Sequence, residues 1–237
     1  MLKVIREYLR DINNFMLFRY NNLEEAEIID IILMWLRWSM TKDETLNYYD
    51  NNAKSFSENT LEIQFTEIQD MFLNQLNKNA TILDFGCGSG RDTKYFLDQG
   101  YKVDAIDGSQ ELCKLASKYT CVEVKHLYFQ DFHEYNKYDG IWACASLLHL
   151  NQSELEVVLL NLSSAIKSDG LIYASFKYGT FEGMRNGRYF NDMDEDKFNK
   201  TLERVGTLRI INQWISYDAR PSRVEERWLN VFLKKKQ

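Results

Sequence analysis

Short apolar runs alternate with helical patterns along most of the chain after Asn79. The runs, rich in β-branched and aromatic residues, lie at 81–85, 102–106, 122–128, 140–145 and 171–176, and helical periodicity fills 91–99, 110–119 and 153–167. Strands and helices that alternate at this spacing form right-handed βαβ units, whose strands lie parallel in one sheet. The alternation therefore predicts an α/β fold with a doubly wound sheet.

The end of the chain follows a different pattern. A helix is predicted at 195–205, followed by two long strands at 208–217 and 223–233 that are joined around residues 220–222. A connection this short brings two strands together only as antiparallel neighbours. We therefore expect a seven-stranded mixed sheet whose last strand pair is antiparallel.

The N-terminal region is predicted to be helical. Residues 2–20 and 23–40 have apolar side chains every three or four positions, and the second segment is apolar nearly all round, which indicates burial against the main domain, a second copy or a partner. Thr41 and Glu44 form a capping box for a helix that continues through Phe56, and another helix is expected at 60–76. We predict a helical extension at 1–42 and a main domain at 43–237.

Composition excludes several classes of protein. The 237 residues are 45% apolar and 27% charged, as in ordinary globular proteins, and the net charge of -6 disfavours nucleic acid as a partner. No apolar run has the length and purity of a membrane span, and residues 1–10 lack the apolar core of a signal peptide. The four cysteines form no Cys-x-x-Cys pair, so we expect reduced thiols, no metal site and a cytoplasmic protein.

A glycine-rich segment that starts at Asp84, in the sequence Asp-Phe-Gly-Cys-Gly-Ser-Gly-Arg, follows the first predicted strand of the sheet. Glycines allow a ligand to approach the backbone at the carboxyl end of the sheet, although a purely structural turn has the same sequence pattern. Asp107 ends the next strand, where a carboxylate accepts hydrogen bonds from ribose hydroxyls. A dinucleotide site requires a third glycine at position 91, which is Arg in this chain, so that alternative is disfavoured.

With these motifs the sequence resembles the class I S-adenosylmethionine-dependent methyltransferases, which have a Rossmann-like fold and release S-adenosylhomocysteine. The resemblance implies that the glycine turn holds the methionine part of the cofactor, with Asp84, Gly86, Cys87 and Gly88 as its contacts. It also implies that Asp107 binds the ribose and that Gly108 lies beside the adenine. The remaining implied contacts are Asp131 with the adenine amine, Phe132 on the adenine ring, Ala143 near the amino group, and Tyr49, on a helical lid, over the sulfonium.

The sequence gives less information about the residues that bind the methyl acceptor than about those that bind the cofactor. His149 follows the fourth strand where related methyltransferases carry a histidine, which makes it a candidate base, although a histidine packed beside a helix fits equally well. Basic and aromatic residues that suit an anionic acceptor, if they face inward, are Lys177, Tyr178, Arg185, Arg188, Tyr189, Arg220, Arg223, Arg227 and Trp228. The favoured alternative is that the arginines are solvated and pair with neighbouring acids such as Glu225 and Glu226.

The acceptor class is inferred from what is missing. No Asn-Pro-Pro-Tyr motif, which is typical of the amino-methylating nucleic-acid branch, follows the fourth strand. The sequence instead resembles the small-molecule branch of the family, which includes tellurite-resistance-like members. Two alternatives remain: an RNA or protein methyltransferase that recruits its substrate through the N-terminal helices, and a cofactor-binding protein without turnover. The same helices also allow a homodimer.

Overall fold

The computed structural model describes residues 44–220 and 223–236. The helices expected at 2–20 and 23–40, the capping residue Thr41 and the boundary at residue 42 lie outside these ranges, as does any dimer contact through them.

A seven-stranded mixed sheet forms the centre of the described part. Its strands are β1 (Thr81–Phe85), β2 (Lys102–Asp107), β3 (Val124–His126), β4 (Tyr138–Ala143), β5 (Ile166–Lys177), β8 (Leu208–Tyr217) and β9 (Arg227–Lys235). The spatial order is β3-β2-β1-β4-β5-β9-β8, with β1 to β5 parallel and β9 antiparallel to both of its neighbours. The predicted fold class, including the antiparallel last pair, is confirmed.

Helices cover both faces of this sheet. They are α1 (residues 44–61), α2 (Thr66–Leu73), α3 (Arg91–Asp98), α4 (Gln110–Thr120), α5 (Gln152–Ala165) and α6 (Glu195–Val205). Successive residues of a strand point to opposite faces, so on β1 Leu83 joins the larger core with α5 and α6, whereas Ile82 packs with α2 and α3. None of the helices in 44–220 and 223–236 has the length and apolarity needed to cross a bilayer.

Several predicted boundaries are wrong, and one hairpin was not predicted. Instead of the helix expected at 60–76, the structure has the shorter α2, because α1 continues to residue 61. The last strand begins at Arg227 rather than at residue 223. A two-stranded hairpin, β6 (Glu182–Arg185) and β7 (Arg188–Asn191), occupies what had been interpreted as a loop. Its turn residues Asn186 and Gly187 have φ angles of 52° and 75°, as a type I′ turn requires.

Candidate functional site

The glycine turn after β1 has no room for a side chain at Gly86 or Gly90. Gly86 has a φ of 84°, and a Cβ on it would lie 2.5 Å from the Ser146 Cβ and 2.8 Å from the Phe129 ring. Gly90 has a different role, because a Cβ there would lie 2.8 Å from Thr120, at the contact between α3 and α4. The Cys87 thiol between them is buried, and burial raises its pKa well above the usual value, so it stays protonated.

Asp107 is held rigidly beside this turn. One carboxylate oxygen accepts a hydrogen bond from the Gly88 N–H at 2.8 Å, and the other accepts one from the Ser109 N–H, also at 2.8 Å. Burial raises the pKa of Asp107, and the two backbone donors act against that shift by stabilising the carboxylate. Each oxygen retains a lone pair, so the pair of oxygens fits the two hydroxyls of a ribose.

Asp84 lies at the end of β1 and is only 2% exposed. Its carboxyl accepts a hydrogen bond from the Thr93 hydroxyl at 2.6 Å. Burial, together with the negative charge of Asp92, raises the pKa of Asp84 to about 8. A ligand cation placed beside this carboxyl would favour its ionised form, so the residue fits a positively charged ligand.

Of the predicted adenine and amino-group contacts, Asp131 is exposed, whereas Phe132 and Ala143 are buried. Asp131 is exposed after β3, at the end of a 3-10 turn, so its carboxylate is accessible. Phe132 is 2% exposed and packs edge-to-face on Phe85, so its ring lies in the core and offers almost no surface to an adenine. Phe129, which the sequence did not single out, stacks on Phe85 at 4.4 Å and lies against Gly86. The Ala143 side chain is also fully buried.

Helix α1 crosses the glycine turn and Asp107. Asp50 accepts a hydrogen bond from the Ser109 hydroxyl at 2.6 Å, and Thr60 donates one to the Ser89 hydroxyl at 3.0 Å. The Phe56 ring would lie 3.2 Å from a Cβ on Gly88, and Leu46 would lie 2.8 Å from one on Gly108. The helix therefore covers the glycine turn and Asp107, and the lid role that the resemblance implies for it stays a prediction.

Tyr49, on α1, and His149 form a hydrogen-bonded pair. The carbonyl of Tyr189 accepts a bond from Nδ1 of His149 at 2.7 Å, so Nε2 of the neutral ring accepts the Tyr49 hydroxyl at 2.8 Å. Burial lowers the pKa of His149 to about 4 and raises that of Tyr49. Both nitrogens of the His149 ring already have hydrogen-bond partners, so this geometry favours His149 as a residue that positions Tyr49. His149 could act as a base only if Tyr49 moved away from Nε2.

The basic residues predicted near the acceptor do not form one cluster. Arg185 pairs with Asp192 at 2.6 Å, and Arg220 pairs with Asp218 at 2.5 Å. The other members also have neighbours of their own: Arg223 and Lys177 pair with Glu226, Tyr178 donates to Glu195, Arg227 lies over Tyr178, and Lys177 lies over Trp228. Within the described residues, acids neutralise Lys177, Arg185, Arg220 and Arg223, whereas Arg188 and Arg227 lie over aromatic rings and form no ion pair.

A model of the methyltransferase domain family matches residues 82–170, which include the glycine turn, Asp107 and His149. A curated protein of Alkaliphilus oremlandii (strain OhILAs), described as an uncharacterized methyltransferase, is 26% identical over 172 residues. The aligned part covers 70% of this chain and 76% of that protein.

Two solved structures share the fold. The 1,6-didemethyltoxoflavin-N1-methyltransferase of Burkholderia thailandensis, with bound 1,6-didemethyltoxoflavin and S-adenosylhomocysteine, matches with a TM-score of 0.65 at 18% identity and covers 91% of this chain and 92% of its own. A TehB-like SAM-dependent methyltransferase from Corynebacterium glutamicum has a TM-score of 0.62 at 21% identity, with 81% and 98% of the two chains covered.

Proposed function

We propose that this chain, a class I S-adenosylmethionine-dependent methyltransferase, transfers the cofactor's methyl group to a small-molecule acceptor. The observation that carries the proposal is the carboxylate of Asp107, fixed by two backbone N–H groups beside the glycine turn and covered by α1. We place the reaction in the cytoplasm, because the four cysteines form no disulfide and reduced thiols are typical of that compartment.

The residues of the site have separate roles in this proposal. Asp107 binds the ribose hydroxyls, and Asp84 is ionised when the cationic end of the cofactor lies beside it. The exposed carboxylate of Asp131 accepts the adenine amine, with Gly108 beside the base. Backbone groups of residues 86–88 and 143 face the methionine part, since the side chains of Cys87 and Ala143 are buried.

Methyl transfer requires little from the protein beyond the alignment of the acceptor with the methyl group of the cofactor. When bound, S-adenosylmethionine would supply a methyl carbon on a positively charged sulfonium, ready to bond to an acceptor lone pair with S-adenosylhomocysteine as the leaving group. Helix α1 excludes water, and the Tyr49 ring lies where it can contact a sulfonium through its π face, with His149 fixing its hydroxyl.

The class of acceptor is inferred from the enclosure of this edge and from one neighbour. The Burkholderia thailandensis enzyme of the same fold is named for its action on 1,6-didemethyltoxoflavin, a small molecule. The aromatic rings of Phe56, Tyr49, His149 and Phe190 form a chain of consecutive contacts in that order beside the covered edge. Such walls fit a compact, flat acceptor better than a nucleic acid strand.

The experiment that tests this proposal is transfer of tritium from methyl-labelled S-adenosylmethionine. The purified chain is incubated with a panel of small heteroaromatic and carboxylate compounds, and in parallel with RNA and protein extracts. The proposal predicts label in the acid-soluble small-molecule fraction. Label confined to precipitated RNA or protein would instead support the macromolecular alternative, and tight cofactor binding with no transfer would support a protein without turnover.

A further inference from the structure

Arg188, on β7, has no anionic partner among residues 44–220 and 223–236. In the part of the chain that the structure describes it forms no ion pair, and its Nε is buried with no hydrogen-bond partner. Its one polar contact with another described residue is a long one, from a terminal N–H to the Tyr49 hydroxyl oxygen at 3.4 Å. A guanidinium stays charged at any physiological pH, so a half-buried one needs acceptors for its N–H groups.

Aromatic rings surround this guanidinium on several sides. Its central carbon lies 4.4 Å from the centroid of the Tyr48 ring, 5.1 Å from that of Phe190 and 5.7 Å from that of Tyr49. These contacts compensate part of the lost hydration of the cation through its attraction to the ring faces. The rings supply no hydrogen-bond acceptors, so among the described residues the terminal N–H groups of the guanidinium have only the Tyr49 hydroxyl as a partner.

The location connects Arg188 to the cofactor edge through two ring contacts. Tyr49, which touches Arg188, packs edge-to-face on Phe56 with centroids 5.2 Å apart. Phe56 in turn lies against Gly88 of the glycine turn. A ligand anchored at Arg188 would therefore extend along Tyr49 toward the place where the cofactor's methyl group is expected.

The neighbouring arginine provides a contrast. Arg185 lies directly opposite Arg188 in the β6–β7 hairpin and also stacks on Phe190, at 4.8 Å. Its charge is neutralised by Asp192, whereas Arg188 has no such partner within residues 44–220 and 223–236. The same small hairpin thus holds one paired and one unpaired arginine, and the unpaired one faces the Tyr49–His149 pair.

We propose that Arg188 binds a carboxylate on the methyl acceptor and so determines the enzyme's specificity for a flat acid. The fork of guanidinium N–H groups matches the two oxygens of a carboxylate, and the rings of Tyr48, Tyr49 and Phe190 match a planar body attached to it. This inference rests on the proposed function, because it assigns the acceptor of the same site.

The test uses benzoate and benzamide, which have the same shape and differ in charge. Each is titrated calorimetrically into the full-length protein saturated with S-adenosylhomocysteine. We expect benzoate to bind at least about tenfold more tightly than benzamide, and this preference to disappear in Arg188→Gln and to be reduced in Arg188→Lys, which keeps the charge but loses the fork. The double variant Arg185→Gln/Asp192→Asn removes the opposite arginine without changing net charge, and it should keep the preference.

The binding of S-adenosylhomocysteine is measured first in every variant. This measurement distinguishes a failure of the proposed function from a failure of the role assigned to Arg188. A variant that binds S-adenosylhomocysteine like the wild type has a folded cofactor site. If the wild type binds it but binds benzoate no better than benzamide, or binds neither, the role of Arg188 is refuted and the proposed function stands. The same conclusion follows if Arg188→Gln keeps the preference. If the wild type does not bind S-adenosylhomocysteine, the proposed function fails and this inference fails with it.

Discussion

At the scale of single residues, the site consists of carboxylates in three different environments. Asp107 is fixed by backbone donors, Asp84 is buried with a raised pKa, and Asp131 is exposed. The sequence singled out all three because Asp84 and Asp107 lie at the ends of strands and Asp131 comes after one, positions that match the family pattern. It could not rank them, because burial and hydrogen bonding depend on tertiary packing, such as the contact of Asp50 on α1 with Ser109 beside Asp107.

Removal of the Asp107 carboxylate is the first residue-scale prediction. Asp107→Ala should weaken S-adenosylhomocysteine binding by about ten- to a hundredfold, which corresponds to roughly 1.5–3 kcal/mol for lost hydrogen bonds to a charged group. Asp104→Ala is the matched control, since it lies on the same strand but contacts Lys137 and Tyr138. Isothermal calorimetry measures both, and equal affinities in the two variants would contradict the role of Asp107.

The second residue-scale prediction concerns the pH dependence of stability. The pKa of Asp84 is about 8 in the folded protein and near 4 in the unfolded chain, so between these values the folded state holds a proton that the unfolded state lacks. This carboxyl therefore lowers the free energy of unfolding as pH rises from about 4 to 8. The free energy of unfolding of Asp84→Asn, taken relative to that of the wild type, should therefore be higher at pH 8 than at pH 5. Urea denaturation at both pH values measures this difference.

Asp139 provides a control of the opposite sign. Burial favours its neutral form, but the Thr81 N–H and Lys167 outweigh that effect, and its pKa is lowered. Its ionised form stabilises the folded state above the unfolded pKa, and that stability is lost as pH falls through the folded pKa. Asp139→Asn should therefore be less stable than the wild type at pH 8. A gain for both variants at pH 8 would refute this assignment of charges.

At the scale of elements, local pattern predicted the sheet well and the loops poorly. The βαβ alternation can be read from the sequence because each strand and helix carries its own periodicity. The β6–β7 hairpin was missed although Asn186-Gly187 is a strong type I′ signal, since the flanking strands are only four residues each. The placement of α1 over the glycine turn, and of Phe132 in the core, depends on tertiary packing that no local pattern encodes.

The contact between α1 and the glycine turn gives an element-scale prediction. Gly88 and Gly100 both have positive φ, at 56° and 86°, so alanine at either position should cost about 1 kcal/mol of stability from backbone strain. Only at Gly88 would the new methyl group meet the Phe56 ring, whereas nothing lies within 4 Å at Gly100. Gly88→Ala should therefore also lose cofactor affinity in a fluorescence titration, and Gly100→Ala should keep it. A loss in both variants would mean that strain alone, and not the lid contact, controls binding.

At the scale of the whole molecule, the site joins segments that are far apart in the chain. Residues of α1, β1, β2 and β7 meet at one edge of the sheet, so a ligand bound there links elements between residues 45 and 190. Ligand binding at this edge should accordingly stabilise the entire fold.

This linkage predicts a thermal shift. At a concentration one hundred times its dissociation constant, S-adenosylhomocysteine should stabilise the folded state by about 2.7 kcal/mol. For a domain of this size that corresponds to a rise in Tm of about 5–10 °C, followed by circular dichroism. Asp107→Ala at the same ligand concentration should show a clearly smaller rise. A wild-type Tm that does not change would show that the ligand does not bind the folded state.

The central claim is that the glycine turn and Asp107 bind S-adenosylmethionine. Its most direct test is calorimetric titration of the cofactor-stripped protein with S-adenosylmethionine and, separately, with NAD and NADP. We predict one site for S-adenosylmethionine with a dissociation constant of about micromolar order, and no heat of binding with either dinucleotide. No binding of S-adenosylmethionine, or tighter binding of a dinucleotide, would contradict the account.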